Sequence, residues 1–199
     1  MKCFLPLVAL IFAWPLCALA TATDMTGVSK CDLKGFSTDN DPKGSNIRSA
    51  PNANASVIGH VPAEMNLPGG EDTVSASFDI IGSKDGWLLV RNVDAGGAAG
   101  GTDYKIVFKG PGWISGALAG FTVGSSELRS APSKTSPIVV TLTDEKNGIG
   151  ADSYAVKRVH ACQGTFADIT VQPPDSKAKP VRGWAAKVCR NQVTTCDPY

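Results

Sequence analysis

The chain has 199 residues, with 19 basic and 18 acidic side chains and a formal net charge of +1 at pH 7. A nucleic-acid-binding protein normally carries a basic stripe, and no such run occurs here, so we do not expect DNA or RNA as a partner. No Gly-x-Ser-x-Gly, Walker or dinucleotide-binding motif occurs either. We therefore expect a protein that is not an enzyme and that binds no cofactor.

Residues 1–22 have the pattern of a secretory signal peptide. Lys2 supplies a positive start, residues 4–16 are almost wholly apolar, and residues 18–20 or 20–22 offer a small-x-small cleavage site. The apolar stretch is too short to span a bilayer, and no later apolar run reaches spanning length. We therefore expect a periplasmic or secreted protein whose mature chain has no membrane span.

The segment after the signal peptide contains four cysteines. An even number of cysteines in an exported chain predicts disulfides, and four cysteines allow three pairings. We favour the pair that closes a short polar loop near the C-terminus, which leaves the other two to join the N-terminal strand to the second half. No Cys-x-x-Cys motif occurs and the chain has two histidines, so we expect no metal. The expected pairs are Cys189 with Cys196 and Cys31 with Cys162.

The predicted secondary structure is a series of short strands separated by Gly, Pro, Asn and Asp. No segment sustains a helical apolar period, so the fold class is all-β. A linker is expected at residues 123–126, and variable loops at residues 94–101 and 172–179. The Asp-Gly pair at residues 85–86 predicts a hairpin. In chain order the predicted strands are residues 57–61, 77–81, 87–90, 105–108, 112–114, 138–142, 154–161, 166–171 and 183–188.

A five-residue motif occurs twice. Residues 47–51 read Ile-Arg-Ser-Ala-Pro and residues 128–132 read Leu-Arg-Ser-Ala-Pro, 81 positions further on. Each copy is followed downstream by Gly-Trp, at residues 112–113 and 183–184. Two copies of one β-rich unit explain this pattern most simply.

The repeated pattern resembles that of bacterial SH3 (SH3b) domains. The first unit matches at residues 46–51, 57–59, 85–90 and 112–114. The second matches at residues 128–132, 137–139 and 183–185, but has Val140 where the first has Gly59. The resemblance implies two small SH3-like β-barrels in tandem, at residues 32–122 and 127–190, followed by a C-terminal tail at residues 191–199.

The resemblance also implies a function in binding, because many members of this family are binding or targeting modules of exported cell-envelope proteins. It favours a cell-envelope peptide or protein as the partner. The alternative is a structural or regulatory subunit that binds another folded protein through a flat surface. Trp87, Tyr104 and Trp113 are the candidates for a ligand groove, although large aromatic residues in a small barrel also serve as core.

Two further sets of residues have competing interpretations. Arg48 and Arg129 occupy equivalent positions, where they would bind a carboxylate or, as we expect, backbone carbonyls of the adjacent turn. His160 and Cys162 are spaced for a catalytic dyad, but an oxidising compartment favours a disulfide at Cys162.

Overall fold

The computed structural model describes residues 25–66, 73–95, 105–192 and 196, and the predicted signal peptide lies outside them. These residues form seventeen strands and three short 3-10 turns. The prediction of an all-β fold is therefore confirmed. The 3-10 turns are Gly116–Leu118, Glu145–Asn147 and Ala151–Ser153.

The first sheet has eight strands. They are β1 (Ser29–Ser37), β2 (Ser45–Arg48), β3 (Val57–Val61), β6 (Ser77–Lys84), β7 (Trp87–Asp94), β8 (Ile106–Phe108), β9 (Gly112–Ser115) and β10 (Ala119–Gly120). Their order is β10-β1-β6-β7-β9-β2-β3, with β8 pairing to β7, and every pairing is antiparallel. A separate two-stranded ribbon joins β4 (Met65–Asn66) to β5 (Thr73–Val74).

The second sheet has five strands, which are β12 (Glu127–Arg129), β13 (Ile138–Thr141), β14 (Ala155–Gln163), β15 (Phe166–Gln172) and β16 (Val181–Ala185). Their order is β13-β12-β16-β15-β14, which reproduces the β3-β2-β9-β7-β6 part of the first sheet. The repeated motif lies at the same place in both sheets, because Arg48 pairs with Trp113 and Arg129 pairs with Trp184. A further ribbon pairs β11 (Thr122–Val123) with β17 (Val188–Cys189).

Tight hairpins join equivalent strands in the two units. In the first, Lys84 pairs with Trp87, and the two turn residues Asp85 and Gly86 both have positive φ. Positive φ at both central residues defines the type I′ turn that Asp-Gly favours, so the predicted hairpin is confirmed. The corresponding turn in the second unit contains Gly164, which also has positive φ.

One hydrophobic core extends through both units. It contains Phe78 and Leu88 from the first sheet together with Leu128 and Ile169 from the second. Burying each such side chain contributes about 1.5–3 kcal/mol. Because the same cluster includes residues from both sheets, each unit helps to bury apolar surface of the other.

Phe108 explains one difference between the repeats. Its ring lies against three glycines of the first unit, where a Cβ would come within 2.4 Å at Gly59, 2.5 Å at Gly110 and 3.1 Å at Gly112. In the second unit Val140 and Val181 occupy the places of Gly59 and Gly110, and both pack on the core. In the first unit the Phe108 ring thus fills the volume that the side chains of Val140 and Val181 fill in the second.

Both disulfide predictions are confirmed, because Cys31 bonds to Cys162 and Cys189 bonds to Cys196. The first joins the two sheets. Beside it, the Ser83 hydroxyl accepts a hydrogen bond from the Cys162 backbone N–H at 2.8 Å and donates one to the Cys162 carbonyl at 3.2 Å. A buried serine therefore reinforces the covalent link between the sheets.

The segment after β16 returns to the first unit. Strand β17 pairs with β11, and the Gln192 side chain makes hydrogen bonds of 2.8 and 2.9 Å with the backbone of Ser75. Arg190 forms an ion pair with the buried Asp94 at 3.2 Å. Residues 188–192 are thus fixed against the first unit.

Candidate functional site

The two arginines of the repeated motif have one structural role. Arg48 Nη1 donates to the carbonyl of Ala55 at 2.8 Å, and Arg129 Nη1 donates to the carbonyl of Ser136 at 2.7 Å; each bond joins residues seven apart. Each guanidinium closes the turn between two paired strands. The structure therefore supports the interpretation that each of these repeated arginines binds a backbone carbonyl of the adjacent turn.

The aromatic residues predicted to line a ligand groove have different environments. Trp87 and Trp113 share one face of the first sheet, because Leu89 pairs with Trp113 and Trp87 pairs with Ser115. Trp87 is half-buried, whereas Trp113 is 1% exposed. Tyr104 lies outside the described residues. The ligand role of these three residues stays a prediction.

The equivalent face of the second sheet carries an open groove. This second-sheet groove has a volume of about 370 Å³. The strand pair Asp168 and Trp184 forms its floor, in the place that Leu89 and Trp113 occupy in the first sheet. Its lining residues are Arg129, Ser130, Val139, Asp168, Arg182, Gly183 and Trp184.

A bidentate ion pair between Arg182 and Asp168 lies in the groove. Arg182 donates from Nε to Asp168 Oδ1 at 3.0 Å and from Nη2 to Oδ2 at 2.6 Å. The Arg182 side chain is 57% exposed and the Asp168 side chain only 10%. The hydrogen bond to Asp168 raises the pKa of Arg182, which stays fully charged. The carboxylate thus orients a guanidinium that faces solvent.

A second ion pair borders the groove. Arg129 Nη2 lies 2.7 Å from Glu127 Oε2, so this arginine is held by both a carboxylate and the Ser136 carbonyl. Its side chain is mostly buried, whereas that of Arg182 is mostly exposed. Arg182 is therefore the cation of the groove that is more accessible to a ligand.

His160 lies on β14, the strand next to β15, and has no thiolate partner. Its Nε2 is 2.8 Å from Thr170 Oγ1, and burial followed by the charge of Arg182 lowers its pKa below the usual value. Cys162 is bonded to Cys31. The expectation that Cys162 forms a disulfide is confirmed, and this sulfur is not available as the nucleophile of a Cys–His dyad.

Sequence reasoning did not single out Asp168 or Arg182. Strand β15 does alternate, with Ala167, Ile169 and Val171 buried and the residues between them on the other face. That alternation places Asp168 on the outer face. Its pairing with Arg182 depends on the register between β15 and β16, which are separated by a loop.

Searches of protein-family models, curated proteins and solved structures each found no match to this chain. Within the described ranges, no group of three or more His, Cys, Asp or Glu side chains is arranged to hold a metal ion. No helix in that part of the chain has the length and apolar character needed to cross a membrane.

Proposed function

We propose that this protein is an exported, non-enzymatic binding module built from two SH3b-type units, and that the second-sheet groove is its ligand site. The ligand class we favour is a cell-envelope peptide or protein. The two disulfides support an oxidising compartment outside the cytoplasm, either the periplasm or the exterior.

The observation that carries this proposal is the contrast between equivalent faces of the two sheets. Where the first has the buried apolar pair Leu89 and Trp113, the second has Asp168 and a half-buried Trp184 beside an exposed Arg182. An aromatic surface next to an oriented guanidinium suits a ligand with an apolar part and an anionic group. The two sheets have the same strand pairing at this face but different side chains on it. This difference favours a role in ligand recognition for the second unit.

Titration of the full mature chain with muropeptides and envelope extracts tests the proposal. We expect the indole N–H signal of Trp184 to shift, and Arg182→Gln to weaken binding at least about tenfold, which corresponds to 1.4 kcal/mol. Arg91→Gln is the matched control, because Arg91 is an exposed, ion-paired arginine on the first sheet. Equal weakening by both variants, or binding that leaves Trp184 unshifted, would contradict a ligand site in this groove.

A structural or regulatory subunit is the second candidate. Strands β3 and β8 contact each other and expose four apolar side chains, and clusters of this kind favour a protein partner. A pull-down that yields one folded protein, and that fails with Ile58→Lys but not with Arg182→Gln, would favour this function. The exposed residues are Val57, Ile58, Ile106 and Val107.

A further inference from the structure

The edge of the second sheet next to the groove lacks a strand neighbour. Strand β13 pairs with β12 and, within the described residues, with no other strand. Its sequence Ile-Val-Val-Thr contains neither a charge nor a proline, and Ile138 and Val139 are each 49% exposed. Charges and prolines are the usual protection of an edge strand against pairing with another chain. The strand is therefore suited to accept a further strand.

This edge and the groove are continuous. Val139 belongs to the edge strand and also lines the groove beside Trp184 and Arg182. A strand added to β13 would run along the groove, and alternate side chains would point to the groove side. Main-chain hydrogen bonds would then supply affinity, and the groove would select the side chains.

Two exposed cations, Arg182 and Lys134, lie near β13, and the carboxylates of Glu127 and Asp168 are each held in an ion pair with an arginine. Asp168 uses two donors of the Arg182 guanidinium, which has five, so further donors can reach a ligand. Lys134, in the turn that precedes β13, is also exposed. Since Asp168 itself is largely covered, an acidic ligand complements this surface better than a basic one.

The size of the edge favours a peptide over a second folded chain. Four residues of strand span about 13 Å, whereas a stable protein interface buries about 800 Å² on each partner. We propose that an extended acidic peptide adds to β13 as a sixth strand of the second sheet and places a carboxylate on Arg182. This inference rests on the proposed function, because it uses the same groove.

The test compares synthetic peptides on the full mature chain. The probes are acetylated, amidated hexapeptides that alternate Val or Thr with Glu, the same peptides with Gln for Glu, and Glu peptides with alternate backbone nitrogens methylated. We expect the Glu peptides to shift the Trp184 signal and to slow amide hydrogen exchange in β13. The Gln peptides should bind at least about tenfold more weakly, and methylation on the hydrogen-bonding edge should abolish binding.

Two protein variants complete the design. Val139→Thr replaces a methyl group on β13 with a hydroxyl, and Ile58→Thr introduces a hydroxyl at the equivalent exposed position of β3. Only Val139→Thr should weaken the Glu peptides. Because both side chains are about half exposed, neither change should unfold the protein.

The outcomes separate strand addition from groove binding. If methylated and unmethylated Glu peptides bind equally and both shift Trp184, strand addition is overturned while the groove remains a ligand site. Strand addition is also overturned, and the groove remains a ligand site, if muropeptides shift the Trp184 signal but no Glu peptide binds with a Kd below about 1 mM. Self-association that Val139→Thr abolishes would identify a second copy as the occupant and overturn the peptide proposal.

Discussion

Removing the disulfide between the sheets should cost more stability than removing the disulfide near the C-terminus. Cys31 and Cys162 are 131 residues apart in sequence, and Cys189 and Cys196 are 7 apart. A cross-link stabilises largely by restricting the unfolded chain, and the restriction grows with the logarithm of loop length. The double variant Cys31→Ala/Cys162→Ala should therefore be the more destabilised of the two.

The loop-entropy relation gives the magnitudes. It yields about 5 kcal/mol for the 131-residue separation and about 2.4 kcal/mol for the 7-residue one. Cys162 is fully buried, so its replacement by Ala also leaves a small cavity and adds to the first value. A loss of this size is a large part of the free energy of unfolding, which is roughly 5–15 kcal/mol in typical proteins.

Urea denaturation of both double variants, followed by tryptophan fluorescence and circular dichroism, measures the difference. The free energy of unfolding is compared after confirming that the dependence on urea is the same in each protein. Cys189→Ala/Cys196→Ala is the matched control. The reasoning is refuted if the control loses as much stability as the long-range pair, because loop length would then not determine the effect.

Three further changes test other parts of the structure. Phe108→Ala should lower the free energy of unfolding by about 3 kcal/mol, since it removes a ring that fills the space above three glycines; a change below about 0.5 kcal/mol in urea denaturation would contradict this packing. Arg48→Gln should cost about 1.5–3 kcal/mol, because the Ala55 carbonyl loses a charged donor, and calorimetry that shows an unchanged Tm would argue against this role. The pKa of His160 is lower in the folded protein than its ordinary value of 6.5, so its contribution to stability is present above that value and is lost as pH falls through the lowered pKa. His160→Gln should therefore reduce the loss of Tm between neutral and mildly acidic pH, and an unchanged loss in calorimetry would contradict this reasoning.

The repeated features were the most predictable part of the fold. Local patterns determine them: Asp85-Gly86 specifies a turn with positive φ, and the recurring arginine closes the turn that follows it. The same strand order in both sheets follows from duplication of these local signals. The cysteine pairing was predictable because Cys189 and Cys196 are close in sequence.

The extent of strand β1 was not predictable by the same reasoning. Its sequence contains the three charged residues Lys30, Asp32 and Lys34 and no β-branched residue, although β-branched runs usually mark a strand. Gly35 is required there by close packing, since a Cβ would lie 2.9 Å from the Gly120 carbonyl oxygen. Long-range pairing with β6 and the disulfide at Cys31 determine this strand.

The candidate groove was only partly visible in the sequence. Arg129 and Trp184 belong to the repeated pattern, whereas Asp168 and Arg182 meet only through the register of β15 and β16. The resemblance likewise assigns residues 191–199 to a tail, and within that range Gln192 contacts the backbone of Ser75. Contacts between residues 117 apart in sequence leave no local pattern to find.

The return of the C-terminal segment to the first unit affects the order in which the molecule can assemble. The hydrogen bonds to Ser75 and the partner strand of β11 come from residues 188–192, which are synthesised after the first unit. The first unit therefore acquires these contacts only after the second unit has been synthesised. It cannot make them before residues 188–192 are available, so the two units complete their folding together.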